Sequence, residues 1–289
     1  MRRSLRLEML QVARLAPKIL GDSAPLVRDF LLRQFLPAGG AQDRGGRADL
    51  YYTIFALAGL DALIANAPDQ TEWLGTFREG EGLDFIHLGA LARCRAATGG
   101  DNAGILQRIE EFRTPDGGYH ENRGATAGHA YGCFVGLGAY QDAGAEVPES
   151  LRMVQCLKFL ETPDGAWGNV RGMKRGTVPA TAAAVTLLHQ LGVPVNDSVA
   201  DWLLAQLHNE GGWLAVPGAP IPDLLSTATA LHALACMERP LTDSQREHCL
   251  DFIDTLWSAE GGFHGHWADD ALDAEYTFYG LLALGHLSV

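Results

Sequence analysis

Apolar residues recur along the chain in six short runs, and the first and last runs are nearly alike. Residues 49–60 read DLYYTIFALAGL, and residues 273–284 read DAEYTFYGLLAL. Small or apolar residues surround most of each run, which is typical of a helix that is buried on most sides. The pattern therefore predicts six inner helices. Their predicted starts are Asp49, Asp84, Ala125, Thr177, Asp223 and Asp273.

A glycine turn precedes most of these runs at a regular interval. It has the form glycine, any residue, aromatic residue, and it begins at Gly117, Gly165, Gly211 and Gly261, with a weaker copy at residues 39–40. Glycine accepts the left-handed backbone that ends a helix, and the aromatic residue can fill the space between neighbouring repeats. Amphipathic segments between the turns predict about six further helices outside the inner ones.

Together these helices predict an all-α fold, an α6/α6 toroid (a closed barrel) of six helix-pair repeats. The likeness of the first and last runs indicates a closed ring, because an open solenoid would need polar repeats at both ends. The repeats fill the chain, so we predict a single domain over residues 1–289, in which residues 1–24 form an N-terminal helical extension.

Composition narrows the classes of function. The 289 residues are 47% hydrophobic and 20% charged, as in a globular protein, and the net charge of −13 argues against nucleic-acid binding through bulk charge. Five cysteines without a C-x-x-C motif predict reduced thiols and a cytoplasmic location. No stretch predicts a membrane span, and no glycine-rich motif predicts a nucleotide cofactor.

The turn and the Ala/Leu-rich helix that follows it resemble the repeat of the protein prenyltransferases and the squalene and terpene cyclases. Residues 161–167, ETPDGAW, are similar to the cyclase signature Q-x-x-x-G-x-W. The resemblance implies a central cavity that holds an isoprenoid, an enzyme that transfers or rearranges a prenyl group, and a helical protein partner like a prenyltransferase α subunit. Two alternatives stay open: a class II-like cyclase, although its D-x-D-D acid motif is absent, and a non-catalytic toroid that binds a lipid or a protein.

Three segments follow the order of a prenyltransferase β subunit when the ring is read through its closure. They are residues 276–284 (YTFYGLLAL), 44–53 (RGGRADLYYT) and 84–88 (DFIHL). In this resemblance Asp49 and His87 stand at zinc-ligand positions, and Tyr51 stands where those subunits have cysteine. Glu275 is a third candidate ligand. The resemblance thus implies a metal site, for zinc or Mg²⁺, although Asp at a helix start also predicts a simple N-cap.

The remaining candidate site residues fall near the starts of the inner helices. We predict catalytic roles for Asp49, Asp273, Tyr52 and Tyr276. Basic residues suited to a diphosphate are Arg44, Arg47, Arg123, Arg171, Lys174 and Arg175. Predicted to face the cavity are His129, four residues into its helix, and the aromatic residues Tyr51, Trp167, Trp213 and Tyr279. Solvated loops and core packing are the alternative explanations of these positions.

Overall fold

The computed structural model describes residues 4–289, which are mainly helical. In chain order the helices are α1 (Leu5–Ala13), α2 (Pro17–Leu20), α3 (Ala24–Arg33), α4 (Leu50–Ala62), α5 (Thr71–Gly75), α6 (Phe85–Thr98), α7 (Ala103–Glu110), α8 (Ala130–Asp142), α9 (Ser150–Lys158), α10 (Val178–Gln190), α11 (Ser198–Leu204), α12 (Leu224–Cys236), α13 (Asp243–Thr255) and α14 (Ala274–Leu287). A short 3₁₀ turn, Gly21–Ser23, precedes α3. Two antiparallel strands, β1 (Ala41–Gln42) and β2 (Ala48–Asp49), connect α3 to α4.

The even-numbered helices from α4 to α14 form a closed inner ring. Each packs against the next, and α14 packs against α4, so the last repeat meets the first. The odd-numbered helices from α3 to α13 complete the six pairs on the outside. The predicted all-α toroid of six helix pairs is therefore confirmed. Among residues 4–289, no helix combines the length and the hydropathy that a bilayer crossing requires.

Five of the six inner helices begin where the sequence predicts. Their N-cap side chains accept hydrogen bonds from backbone N–H groups of the first turn; these caps are Asp49, Asp84, Thr177, Asp223 and Asp273. The prediction for the third helix was wrong, because α8 is capped by His129 rather than near Ala125. The Nδ1 atom of His129 accepts a hydrogen bond from the Gly132 backbone N–H at 2.7 Å. An imidazole does here what a side-chain oxygen does in the other repeats.

In two repeats the tryptophan of the glycine turn connects the outer helix to its inner helix through hydrogen bonds. Trp213 is fully buried, and its indole N–H donates to the Leu203 carbonyl oxygen of α11 at 2.8 Å. The backbone N–H of Trp213 donates to Thr227 Oγ1 of α12 at 2.9 Å. Trp167 makes the same pair of hydrogen bonds in its own repeat. The aromatic residues thus fill the space between helices, as the turn pattern predicts.

The N-terminal helix α1 lies across the C-terminal ends of the inner ring. Arg6 Nε donates to Asp142 Oδ1 at the end of α8, over 3.0 Å. Gln190 Nε2, at the end of α10, donates to Glu8 Oε2 over 2.5 Å. The ring therefore has two different ends: a mouth surrounded by the N-caps of the inner helices, and a base that α1 covers.

Candidate functional site in the central cavity

A cavity of about 710 Å³ occupies the middle of the ring, between the N-caps at the mouth and α1 at the base. Phe55, Phe134 and Phe278 contribute aromatic faces to its wall, and Met9 of α1 lines its lower part. Side chains of this kind favour an apolar ligand, because each CH₂ group that they remove from water contributes about 0.8 kcal/mol.

Four aromatic rings form a continuous part of this wall. The ring centroid of Phe55 lies 5.0 Å from that of Tyr51, 5.8 Å from that of Phe278 and 5.5 Å from that of Tyr279. The electron-rich faces of such rings attract a positive charge, most strongly where water is excluded. This part of the wall can therefore stabilise a cation that forms on a bound ligand.

A carboxyl group lies behind the aromatic wall. Tyr51 donates its hydroxyl hydrogen to Glu275 Oε1 over 2.5 Å, and Glu275 lies one helical turn before Tyr279 on α14. Burial raises the pKa of Glu275 to about 7, because the charged form is disfavoured away from water, while the hydrogen bond from Tyr51 opposes this shift. A large fraction of the molecules therefore hold a neutral carboxylic acid here at neutral pH.

At the mouth, one histidine lies between two carboxylates. His87 Nε2 is 3.0 Å from Asp49 Oδ2, and His87 Nδ1 is 2.9 Å from Asp84 Oδ1. Hydrogen bonds to Asp49 and to Asp84 raise the pKa of His87 to about 9, although burial works in the opposite direction. Both ring nitrogens then carry hydrogen atoms, so His87 is a fixed cation at neutral pH.

A second cation at the mouth is also shared by two carboxylates. Arg44 Nε donates to Asp273 Oδ2 over 2.7 Å, and Arg44 Nη2 donates to Asp269 Oδ2 over 2.8 Å. The same guanidinium lies 5.4 Å from the ring centroid of Tyr276. Each of the two cations, Arg44 and His87, thus faces two carboxylates, and this part of the mouth carries an excess of negative charge.

The lower cavity contains two polar side chains that the sequence did not lead us to select, Arg93 and His232. His232 Nδ1 lies 3.2 Å from His286 Nε2, while its Nε2 has no hydrogen-bond partner among the described residues. Burial lowers the pKa of His232 to about 4, so the ring is neutral at pH 7. A histidine in the mainly apolar helix α12 is the signal that could have identified His232, whereas α6 carries several polar residues and does not single out Arg93.

The sequence also matches a known domain family. The model of the prenyltransferase alpha-alpha toroid domain matches residues 16–72 and 180–287, which are more than half of the chain. The chain belongs to this family. No protein of curated function has a sequence that matches it significantly.

Solved structures of similar fold include members that act on isoprenoids. The type II terpene cyclase MstE from Scytonema, in a complex with geranylgeranyl dihydroxybenzoate, is 13% identical, with a TM-score of 0.62 over 94% of this chain and 97% of that chain. A protein from Actinoplanes is 16% identical, with a TM-score of 0.62 over 92% and 98%. Candida albicans protein geranylgeranyltransferase-I, complexed with GGPP, is 13% identical, with a TM-score of 0.54 over 96% and 81%. At these identities the likeness establishes the toroid fold alone.

Within this family fold, the basic residues predicted to bind diphosphate lie outside the described cavity lining. Arg47 is paired with Asp43 in the loop before α4 and is largely exposed. Arg123 and Arg171 also face carboxylates of neighbouring loops or helices, Glu111 and Asp116, at 2.9 Å each. Lys174 and Arg175 are exposed in the loop before α10. The positive rim that the sequence suggested is thus largely neutralised by carboxylates.

The predicted aromatic residues divide into two groups. Tyr51, Tyr52 and Tyr279 line the cavity, as expected. Trp167 and Trp213 are absent from the cavity lining, so their predicted place in the cavity wall was wrong. Both side chains are instead buried between an outer and an inner helix. His129 is likewise absent from that lining and turns its Nε2 toward Glu121.

The structure places only two of the predicted metal ligands side by side. Asp49 and His87 are adjacent, and the Nδ1 hydrogen bond to Asp84 resembles the support that metal-binding histidines receive. However, Glu275 faces Tyr51 and Asp273 faces Arg44, so this set offers two ligands where structural and catalytic zinc sites have at least three. The residues as placed do not complete a metal site.

One other cluster within residues 4–289 brings three potential ligand atoms within 4.8 Å of one another, and its members are His120, Glu121 and His129. In both histidines Nδ1 accepts a backbone N–H, from Asn122 at 3.0 Å and from Gly132 at 2.7 Å. In a neutral imidazole the hydrogen must then lie on Nε2, the atom that would have to bind the metal. This cluster is therefore a hydrogen-bonded structure at the start of α8.

Proposed function

We propose that this protein binds an isoprenoid chain in its central cavity and rearranges it by proton transfer, in the manner of a terpene cyclase. The apolar cavity, with the Glu275–Tyr51 pair at its aromatic wall, is the observation that carries the proposal. The fold likeness to a type II terpene cyclase supports it, since that enzyme holds a geranylgeranyl compound.

In the proposed reaction, Tyr51, which lines the cavity, transfers its hydroxyl hydrogen to a carbon–carbon double bond of the chain and takes up the carboxyl hydrogen of Glu275 behind it. The O–H bonds of Tyr51 and Glu275 break while a C–H bond and a new Tyr51 O–H bond form, which leaves a cation on the chain and a carboxylate on Glu275. The Tyr51 hydroxyl stabilises that carboxylate through its hydrogen bond, and the rings of Phe55, Phe278 and Tyr279 stabilise the cation. The cation closes a ring on a second double bond, and a C–H bond of the cyclised cation then breaks and returns its proton to the Glu275 carboxylate through Tyr51, so the product is an isomer of the substrate.

The test is turnover of geranylgeranyl dihydroxybenzoate, followed by mass spectrometry. We expect a product of unchanged mass and altered retention, and we expect Glu275→Gln to reduce its formation by about 100-fold or more. Glu72→Gln, at an exposed position on α5, is the matched control. The wild-type rate should fall as the pH rises through about 7, because the acid form of Glu275 is lost in that range. An unchanged rate in Glu275→Gln would contradict the proposed acid.

A second candidate function, prenyl transfer from a diphosphate, is favoured by one observation. Asp49 and His87, which stand at the two zinc-ligand positions of the prenyltransferase β subunits that this chain resembles, are neighbours in the structure. Transfer would release diphosphate from GGPP, whereas cyclisation by protonation releases none. Measurement of free diphosphate, together with the metal content of wild type, Asp49→Asn and His87→Ala, therefore separates the two functions.

A further inference from the structure

Arg93 lies where three cavities meet at the base of the ring. It is six residues beyond His87 on α6, which places it about 9 Å deeper along the helix axis. Its side chain lines the central cavity, a small pocket of about 70 Å³ behind the aromatic wall, and a third pocket of about 320 Å³. A charged side chain with this placement is accessible from the cavity that we assign to the isoprenoid.

The charge of Arg93 is only partly balanced. Its nearest carboxylate oxygen is Asp142 Oδ2, at 3.9 Å from Arg93 Nε, and neither atom has a hydrogen-bond partner among residues 4–289. The other oxygen of Asp142 accepts from Arg6 Nε at 3.0 Å. Two guanidinium groups thus share one carboxylate, the reverse of the mouth, where two carboxylates share each cation.

The third pocket adjoins the central cavity, because the two spaces share lining residues, and it is the more polar of the two. Arg93 and Phe278 line both spaces, and Arg6, Asn66 and Thr98 add polar groups to the pocket. The pocket also contains Asp61, but that carboxylate is paired with Arg14 Nη2 at 2.7 Å. An amphiphile could therefore lie with its chain along the aromatic wall and its head group in this polar pocket.

We propose that the pocket at Arg93 and Arg6 binds the anionic head group of the ligand, a phosphate or a carboxylate, at the base of the ring and not at its mouth. Guanidinium groups suit both anions, since they donate hydrogen bonds in a planar fork. The proposal deepens the proposed function, because it defines the substrate class as an isoprenoid with an anionic head, and it relies on that function for the position of the chain.

Calorimetric titration with two ligands tests this placement: geranylgeranyl diphosphate, which has the anionic head, and geranylgeraniol, which lacks it. We expect Arg93→Gln to weaken diphosphate binding by about 10-fold or more and to change geranylgeraniol binding by less than about twofold. Arg93→Lys, which retains the charge, should recover part of the loss. Arg28→Gln, an exposed arginine of outer helix α3 paired with Asp29, is the matched control.

Several outcomes overturn the proposal. Equal weakening of both ligands would show that Arg93 has a structural role, and unchanged diphosphate binding in Arg93→Gln and Arg93→Lys would place the head group elsewhere. Binding of inorganic diphosphate that is insensitive to Arg93 would do the same. If the wild type binds neither isoprenoid, the proposed function fails as well, whereas geranylgeraniol binding without dependence on Arg93 contradicts this inference alone. Thermal melting of each variant establishes that it is folded.

Discussion

The mouth and the base of the ring are built from the same helices but differ in how their cations are paired: two carboxylates surround each cation at the mouth, and two cations share one carboxylate at the base. At the mouth, His87 and Arg44 are each bound by two carboxylates, whose side-chain exposure ranges from 3% for Asp273 to 62% for Asp84. At the base, Arg6 and Arg93 share Asp142, whose side chain is only 2% exposed. Water therefore screens the Asp84 carboxylate at the mouth and not the Asp142 carboxylate at the base.

This difference shows that position along the inner helices decides what a charged residue can do. The mouth carries the helix N-termini, where acidic residues are favoured by free N–H groups. These acidic caps form ion pairs with His87 and Arg44, so the positive charge at the mouth is neutralised by neighbouring carboxylates. At the base no such caps compete, and Arg93 Nε has no hydrogen-bond partner among the described residues.

Removal of the shared carboxylate at the base should have the strongest effect on stability. We expect Asp142→Asn to reduce the free energy of unfolding by about 3 kcal/mol, because it leaves two arginines without a buried counter-charge. Asp84→Asn at the mouth should cost less than about 1 kcal/mol, since Asp84 is exposed and asparagine also caps helices. Urea unfolding of both variants at pH 7 provides the measurement, and equal losses would erase the distinction between the two ends.

The histidines at the two ends should respond to pH in opposite ways. The pKa of His87 is raised to about 9, so its contribution to stability is complete below about pH 6.5 and is lost as the pH rises through 9. We expect His87→Gln to cost about 1–2 kcal/mol at pH 6, a value reduced for partial exposure, and almost nothing near pH 10. Urea unfolding across this range tests it, and a cost independent of pH would contradict the charged state of His87.

At the base, the pKa of His232 is lowered to about 4, and that of its neighbour His286 to about 3. The unfolded chain therefore takes up protons before the folded chain does, and the wild type loses stability as the pH falls from about 6.5 to 4. Replacement of one ring, His232→Gln, should make this loss shallower. Urea unfolding of the wild type and of His232→Gln at pH 7 and 4.5 tests this. An equal loss of stability in the two proteins would contradict a neutral His232.

The fold could be predicted from the sequence because its signals are local and repeated. An acidic or hydroxyl residue before each apolar run identified five inner-helix starts, and the glycine turns marked the ends of the outer helices. The start of α8 was missed because histidine rarely serves as an N-cap, so residues 125–128 were assigned to the helix.

The site was less predictable, because its residues come from different repeats and depend on which helix face points inward. Tyr51 and Tyr279 were identified as cavity residues, yet the contact of Tyr51 with Glu275 joins positions 224 residues apart in the chain. Arg93 was overlooked because it follows no repeat pattern. The capacity of the rim arginines to bind a diphosphate was overestimated. In the structure a carboxylate lies beside each of Arg44, Arg123 and Arg171, which the sequence does not show.

The smallest effect is expected from the exposed ion pair at the mouth. The side chain of Arg47 is 84% exposed and is paired with Asp43. Pairs of this kind contribute little and salt screens them further, so Arg47→Gln should leave the free energy of unfolding almost unchanged at low salt and unchanged at high salt. Urea unfolding at the two salt concentrations provides the measurement. A loss of unfolding free energy comparable with that of Asp142→Asn would show that ion pairs at the mouth stabilise the fold as much as those at the base.

One substitution that fills the central cavity tests whether an isoprenoid chain binds there. Ala183 of α10 lines the cavity, and Ala183→Trp would place an indole in that space; Leu151→Trp adds the same group at an exposed position of α9. In calorimetric titrations with geranylgeraniol, we expect saturable binding of one molecule to the wild type and to Leu151→Trp, and a loss of that binding in Ala183→Trp. Equal binding to all three proteins, or binding to none of them, would contradict an isoprenoid site inside the ring.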